Sequence, residues 1–434
     1  MKPKANVDVL TIGFGTTVAT WAIGYFLRIP PALAPGWLLL IIILVVQYLG
    51  GYFAGKLTGR GWKGGMWSGI ISSVLNLLIL GSVMSGDQPN EVIPTAALWV
   101  PVSILVGALI GSIAAYAGVN TRDKELTPNW IGLFSIVVTF ITLILLISGG
   151  VVTSKEAGLA VVDWPNSYQY NMFLYPLSKM TGGIYFEHSH RLLGTLVFLS
   201  VLVFTLLLRT SELDSRIKNF AWLAVLLVII QGLLGGLRVT GFLTTSDDPN
   251  VTAPNITYAI IHGVLGQAIF AIMVSLAIFT SSVWRKSHDP IKAVSGGTDC
   301  GLSIALTAIV IIQILTGAVL RHTSGFLHIH LTFAFIVIVV ALFSGIRARG
   351  IYKDNRILSK LGKSLLHTVG VQIILGILAL IAVNANREAV DKPFVEVLLA
   401  TTHQATGAVI LSISVAMVLW THRLLPSPKK QEPG

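Results

Sequence analysis

Twelve long apolar stretches constrain the fold of this chain more than any other feature of its sequence. A helix of about 18 or more apolar residues is long enough to cross a bilayer. Mean hydropathy is +0.79 and only 11% of residues are charged, which excludes an ordinary soluble domain. The sequence therefore predicts an all-α integral membrane protein with about 12 transmembrane helices. These stretches lie at about 9–27, 36–55, 65–84, 97–118, 130–152, 188–208, 219–238, 257–281, 301–320, 328–346, 364–384 and 397–420.

The basic residues predict how the chain is oriented. Lys and Arg total 30 against 19 Asp and Glu, and 22 of the 30 fall between alternate stretches or at the termini. Such an asymmetry is typical of cytoplasmic loops, so we expect both termini to be cytoplasmic. The same distribution argues against nucleic-acid binding, because the charge is spread over short loops. We also expect the first stretch to be a span, since no cleavable signal pattern precedes it.

Four histidines near the starts of four stretches predict two cofactor sites. His190 and His262 are separated by 72 residues, and His330 and His403 by 73. An imidazole in a membrane is costly unless it pairs or ligates something. The four stretches are every second span, so they all run from the outside to the inside. All four histidines are therefore expected near the outer face. They predict two bis-histidine metal or heme sites. The single cysteine, Cys300, excludes a Cys-based zinc site, a protein-ligated iron–sulfur cluster and an intramolecular disulfide.

An internal repeat surrounds these histidines. LILLISGGVVTSKEAG resembles VIIQILTGAVLRHTSG, HSHRLLG resembles HIHLTFA, and IIHGVLGQ resembles ATTHQATG. The repeat predicts two pseudo-repeated four-helix bundles, at 125–285 and 298–424. Facing side chains in such bundles can build cofactor sites. The remaining residues, 1–120, are predicted to be an accessory four-helix membrane region.

Only the first repeat carries a carboxylate beside its histidine. Glu187 precedes His190 by three residues and shares its helical face, whereas Leu327 occupies the aligned position before His330. A carboxylate there can accept a proton or hydrogen-bond a substrate. The asymmetry predicts one reactive site, in the first repeat, and one site that holds only a cofactor.

These motifs resemble the heme A synthases of cytochrome oxidase biogenesis. The resemblance covers about residues 130–420 and rests on GGVVTSKEAGLAVVDWP, on E-x-x-H-R at Glu187–Arg191, on HGVLGQ and on LTGAVLRHTSG. It implies a bacterial plasma-membrane enzyme that oxidises the C8 methyl group of heme O to a formyl group. Heme O would lie near His190, His262 and Arg191, with Glu187 catalytic. Heme b would be the cofactor, with its iron on His330 and His403.

The chain departs from the family pattern in three places. Its first outer loop lacks the cysteine pair of some members, and residues 1–120 have no counterpart in the family core. The second outer loop is short, so His328 is an alternative ligand to His330; the repeat favours His330. The resemblance also implies a heme O-producing farnesyltransferase as a partner and an electron acceptor, for which a quinone is the candidate. A homo-oligomer is left open.

Other polar residues allow two interpretations each. Arg191, Arg238 and Arg321 lie at outer span ends, where they either bind heme propionates or extend to the interface. His188 and His322 are expected to be exposed loop histidines or part of a proton or propionate network. Recurring glutamines in three spans predict interhelical hydrogen bonds; they are Gln231, Gln313 and Gln372.

The alternative function is a diheme b-type electron-transfer protein. Such a carrier needs no acid–base group beside one ligand pair, and its hemes usually lie at two depths. A transporter with a histidine-lined path would need polar residues at mid-membrane, where these stretches are aliphatic. Glu187 and the common depth of the histidines therefore favour the enzyme.

Overall fold

The computed structural model describes residues 6–30, 32–86, 88–123, 125, 127–241, 255–291 and 295–425. The described chain is helical apart from turns, loops and two isolated β-bridges, which confirms the predicted all-α fold. Twelve of its helices are long and apolar enough to cross a membrane, and we number them α1 to α12. They are Val7–Leu27, Gly36–Thr58, Trp62–Met84, Ala96–Val119, Trp130–Ser154, Gly182–Arg209, Ser215–Thr240, Ile256–Thr280, Gly296–Thr323, Leu327–Gly350, Arg356–Ala385 and Phe394–Leu424.

Every predicted span coincides with one of these helices, and the protein is an integral membrane protein. Several helices extend past the apolar stretches, and at some starts a side chain caps the exposed backbone amides. Asn129 caps α5 through Gly132 N, at 3.3 Å, and Asn355 caps α11 through Leu358 N, at 3.0 Å. With its cap, α11 begins eight residues before the predicted span, whereas α6 begins six residues before its predicted span without a side-chain cap at Thr181.

The chain forms two compact units, Met1–Gly232 and Leu233–Gly434, and the boundary between them falls inside α7. This boundary lies within the predicted bundle 125–285. The division into 1–120, 125–285 and 298–424 stays a prediction from the sequence.

In the first unit, α1–α4 pack through glycines. A Cβ added at Gly65 would lie 2.0 Å from the Gly111 carbonyl oxygen, and one at Gly69 would lie 2.2 Å from the Gly107 oxygen. Small residues of this kind let membrane helices approach through their backbones. A partly buried ion pair between Asp8 and Arg60, at 2.6 Å, joins α1 to the end of α2. Helix α1 also packs against α5 and α6.

In the second unit, α9–α12 form a closed four-helix arrangement. Each helix contacts the next, α9 contacts α12, and α8 packs on α9 and α12. Leu306, Ala341 and Leu365 are fully buried in the shared core. At the end that the charge pattern places inside, Asp299 accepts hydrogen bonds from Arg347 at 2.7 Å and from Tyr352 at 2.5 Å. Burial is the main cause that raises the pKa of Tyr352 to about 12, and the hydrogen bond to Asp299 is the next largest.

Candidate heme sites

Each of the four histidines faces a glycine on the preceding long helix. An ideal Cβ at the glycine would lie 2.9–3.2 Å from the histidine Cε1, so a larger residue would displace the imidazole ring. The same contact between a glycine and a histidine therefore occurs twice in each repeat. The four pairs are Gly149 with His190, Gly235 with His262, Gly317 with His330 and Gly376 with His403. The sequence patterns alone did not identify these glycines as partners of the histidines.

Two of the histidines lie further from a helix start than the predicted stretches imply, because the helices start earlier. His190 is the ninth residue of α6 and His403 the tenth of α12, so both lie in the third turn. His330 remains in the first turns of α10. The predicted stretches 188–208 and 397–420 put His190 and His403 in the first two turns, and this position along the helix is wrong for both.

His330 and His403 face each other in the second unit. Their ring centroids are 6.5 Å apart and the ring planes make an angle of 72°. Two imidazoles on opposite sides of one metal, each bound at about 2 Å, would have centroids about 6 Å apart. His328, by contrast, is exposed on α10. The structure therefore brings His330, and not His328, against His403.

Glutamine amides contact both of these imidazoles. Gln313 Nε2 lies 3.2 Å from each ring nitrogen of His330, and Thr316 Oγ1 lies 3.3 Å from its Nδ1. Gln372 Nε2 lies 3.4 Å from His403 Nε2, while His403 Nδ1 is buried without a partner. Hydrogen-bonded partners of this kind orient metal-binding histidines. A buried imidazole nitrogen without a partner is costly, so this pair fits bis-histidine ligation of a heme iron.

The predicted interhelical hydrogen bonds of Gln313 and Gln372 are confirmed, and their partners are the candidate ligands. Both glutamines precede the facing glycine by four residues, and Gln231 precedes Gly235 by the same spacing. In α5 the corresponding position is Leu145. A Q-x-x-x-G pattern therefore recurs in three of the four helices that face a histidine.

His190 has a different neighbour, Ser148, which directly precedes its facing glycine. Ser148 Oγ lies 2.8 Å from His190 Nδ1, and Thr316 is the equivalent residue in the second repeat. His190 belongs to the first compact unit and His262 to the second. Their assignment to one heme stays a prediction from the repeat.

Glu187 and Arg191 form a buried ion pair on α6. Arg191 Nε lies 3.1 Å from Glu187 Oε1, and both side chains are less than a tenth exposed. The remaining Arg191 donors reach the carbonyl oxygens of Asp163 at 2.7 Å, Asn166 at 2.9 Å and Val161 at 2.9 Å. Arg191 therefore fastens the outer segment, residues 155–181, to the helix that carries Glu187 and His190.

His188 lies inside α6 and is fully buried, so the expectation of an exposed loop histidine is wrong for it. Helix α6 begins at Gly182, and the outer segment folds over this turn. His188 Nδ1 lies 3.0 Å from Ser167 Oγ, and its ring centroid lies 4.9 Å from that of Tyr175. Burial, with a smaller contribution from Tyr168, Tyr170 and Asp163, raises the pKa of the Tyr175 hydroxyl.

The second unit gathers two of the predicted propionate-binding arginines. Arg238 lies in the last turn of α7 and Arg321 in the last turn of α9. Both arginines interact electrostatically with His322. His322 is helical and half-buried, which corrects its expected place in a loop. Within the described residues no cluster of three or more His, Cys, Asp or Glu side chains could hold a bare metal ion. A heme supplies four of its own nitrogen ligands and needs only two histidines.

Part of the chain matches a family model. The COX15-CtaA model, described as a cytochrome oxidase assembly protein, matches residues 132–329. That range includes Glu187, His190 and His262 and ends just before His330. Heme A synthases are also among the matching curated proteins.

A heme A synthase of Lysinibacillus sphaericus (strain C3-41) is 28% identical over 194 residues, which are 44% of this chain and 58% of that relative. A heme A synthase of Bacillus pumilus (strain SAFR-032) is 26% identical over 197 residues, 44% of this chain and 59% of that relative. Over these residues the chain is similar to heme A synthases. The chain spans less than two thirds of the length of these curated relatives.

Proposed function

We propose that this protein is a membrane oxidoreductase that converts the C8 methyl group of heme O to the formyl group of heme A. The observation that carries the proposal is the difference between the repeats. All four histidines face glycines, but only His190 follows a buried carboxylate by three residues. A pure electron carrier gains nothing from that carboxylate, whereas an oxidation that removes protons from a methyl group needs a proton acceptor.

The proposed roles follow the repeat. His330 and His403 would hold the iron of heme b, and Gln313 and Gln372 would orient their rings. Heme b supplies one-electron redox chemistry when bound. Glu187 would accept protons at the substrate, with Arg191 holding its carboxylate in place. His262 is assigned to the substrate heme by the sequence repeat alone.

The surroundings of the enzyme are proposed from the family. The hemes would lie near the outer face of a bacterial plasma membrane, with both termini cytoplasmic. Heme O would come from a farnesyltransferase that makes it, and a quinone is the candidate electron acceptor. Residues 1–5 and 426–434, which carry part of the charge that predicts this orientation, lie outside the described residues.

Glu187→Gln tests the role of the carboxylate. Loss of a general acid–base group lowers a rate about 100-fold or more, so heme O should persist while the b-type spectrum stays. Glu388→Gln is the matched control, because Glu388 is an exposed carboxylate expected on the same side of the membrane. Conversion by Glu187→Gln at the rate of this control would contradict the catalytic role.

His330→Ala and His403→Ala test the cofactor assignment. Each removes one axial ligand, so the low-spin b-type absorption of the purified protein should be lost in both variants. If both variants keep that spectrum, the cofactor is held elsewhere. Unchanged heme O in the wild type together with an intact b-type spectrum would favour the diheme electron-transfer protein.

A further inference from the structure

The N-terminal segment, residues 7–119, contains α1–α4 and has no place in the proposed chemistry. It packs against the part of the first unit that carries Glu187. Helix α1 contacts α5 and α6, and α3 contacts α6 and the 3-10 turn Met172–Leu174 of the outer segment. These contacts involve backbone groups and buried side chains.

The first contact fixes the outer segment. Asn90 Oδ1, in the connection between α3 and α4, accepts a hydrogen bond from Asn171 N at 2.7 Å. Gly81 of α3 lies against the next turn, where an added Cβ would come within 2.1 Å of the Phe173 carbonyl oxygen. Only a glycine lets α3 approach the backbone of the outer segment this closely.

The second contact fixes the start of α6. Tyr185 Oη donates a hydrogen bond to the Tyr25 carbonyl oxygen of α1, at 2.7 Å, and both tyrosines are buried. Their rings stack with centroids 6.0 Å apart and an angle of 12° between planes. Tyr185 lies two residues before Glu187, in the first turns of α6.

The outer segment passes this restraint on to the carboxylate. Ser167 and Tyr170 exchange backbone hydrogen bonds at 2.9 and 3.1 Å, and Ser167 Oγ contacts His188. Arg191 then joins the Asn166 carbonyl to Glu187. Continuous contacts therefore run from α3 through residues 166–173 to the buried ion pair.

We propose that the N-terminal segment is a positioning element for the reactive site, which holds the outer segment and the start of α6 so that Glu187 keeps one orientation. The catalytic part of this inference rests on the proposed function, because it assumes that Glu187 belongs to the reactive site. The restraint on residues 160–190 is a separate physical claim. Asn90, Gly81 and Tyr185 are the positioning residues.

Hydrogen–deuterium exchange of the purified full-length protein tests the restraint. The variants Gly81→Ala, Asn90→Ala and Tyr185→Phe each disturb one contact, and Gly24→Ala is the matched control because a Cβ there meets nothing within 4 Å. Loss of one buried hydrogen bond favours local opening about fivefold. Amides of residues 160–190 should therefore exchange about fivefold faster in Asn90→Ala and Tyr185→Phe than in the control. They should also exchange faster in Gly81→Ala, because its Cβ overlaps the Phe173 carbonyl oxygen.

A second measurement connects the restraint to catalysis. The three variants should lower the rate constant for heme O conversion while the b-type spectrum, which depends on the second unit, stays unchanged. Exchange equal to that of Gly24→Ala would overturn the restraint, and faster exchange with unchanged conversion would overturn the positioning role. If the wild type converts no heme O, the proposed function fails and the exchange data still decide whether the restraint exists.

Discussion

At the scale of residues, Arg191 shows what a sequence can and cannot predict. The motif E-x-x-H-R placed Arg191 one turn after Glu187, and the pairing of these two side chains follows from helical spacing. The other three partners are backbone carbonyls of residues 161–166. No local pattern predicts those contacts, because they depend on how the outer segment folds back over α6. The predicted propionate contact of Arg191 stays a prediction.

Arg191→Lys should destabilise the protein. A lysine is a point charge and lacks the planar fork that reaches one carboxylate and three carbonyls. Losing charged hydrogen bonds of this kind costs about 2 kcal/mol or more in free energy of unfolding. Thermal unfolding of the purified chain should show a lower Tm than that of Arg387→Lys, an exposed control. An unchanged Tm with weaker heme binding would favour the propionate interpretation instead.

Gln372→Leu should weaken binding of heme b without removing a ligand. The amide contacts His403, and loss of such an orienting partner lowers metal affinity about 10-fold or more. Heme titration of the protein, followed by the b-type absorption, measures this affinity. Gln47→Leu is the control, since Gln47 is a buried membrane glutamine that bonds to Gly69 and Gly107 carbonyls. Equal affinity in the two variants would show that Gln372 does not orient the ligand.

At the scale of elements, hydropathy located every long helix because the bilayer requires continuous apolar runs with internal backbone hydrogen bonds. Hydropathy did not predict the residues at which several helices begin. A packed loop adds the turns Gly182–Glu187 to α6, and the Asn355 cap adds polar turns to α11, which continuous apolar runs do not mark. This is why His188 was expected in a loop, and why His190 and His403 were placed closer to a helix start than they lie.

The facing glycines were predictable only in part. The aligned stretches place Gly317 opposite Gly150, one residue from the Gly149 that faces His190, and the partner of each glycine depends on which helices become neighbours. Once the neighbouring helices are known, the spacing Q-x-x-x-G explains why the glutamine and the glycine contact the same histidine, because residues four apart share one helical face.

Gly376→Val should displace His403 and abolish the b-type spectrum. A Cβ at this position would already lie 2.9 Å from His403 Cε1, and a branched side chain enlarges the overlap. Gly370→Val on the same helix is the matched control, since nothing lies within 4 Å of a Cβ there. Absorption spectra of the two purified variants make the comparison. A normal b-type spectrum in Gly376→Val would contradict the proposed ligand role of His403.

At the scale of the whole molecule, composition and spacing gave the membrane class, the number of spans and the histidine pairs. They gave no role for residues 7–119, because that segment contacts the rest of its unit through backbone carbonyls, glycines and two stacked tyrosines. Such contacts have no sequence motif. The orientation of the chain and the outer position of the hemes stay predictions from loop charge.

The central claim is that the chain changes heme O chemically and does not merely bind heme. Heme extracted from the membranes of cells that make heme O but no heme A, with and without this protein, tests the claim most directly. We expect heme A to appear only in cells that contain the protein, and its iron-free mass to show one methyl group replaced by a formyl group. Heme O that persists unchanged, while the purified protein carries b-type heme, would contradict the claim.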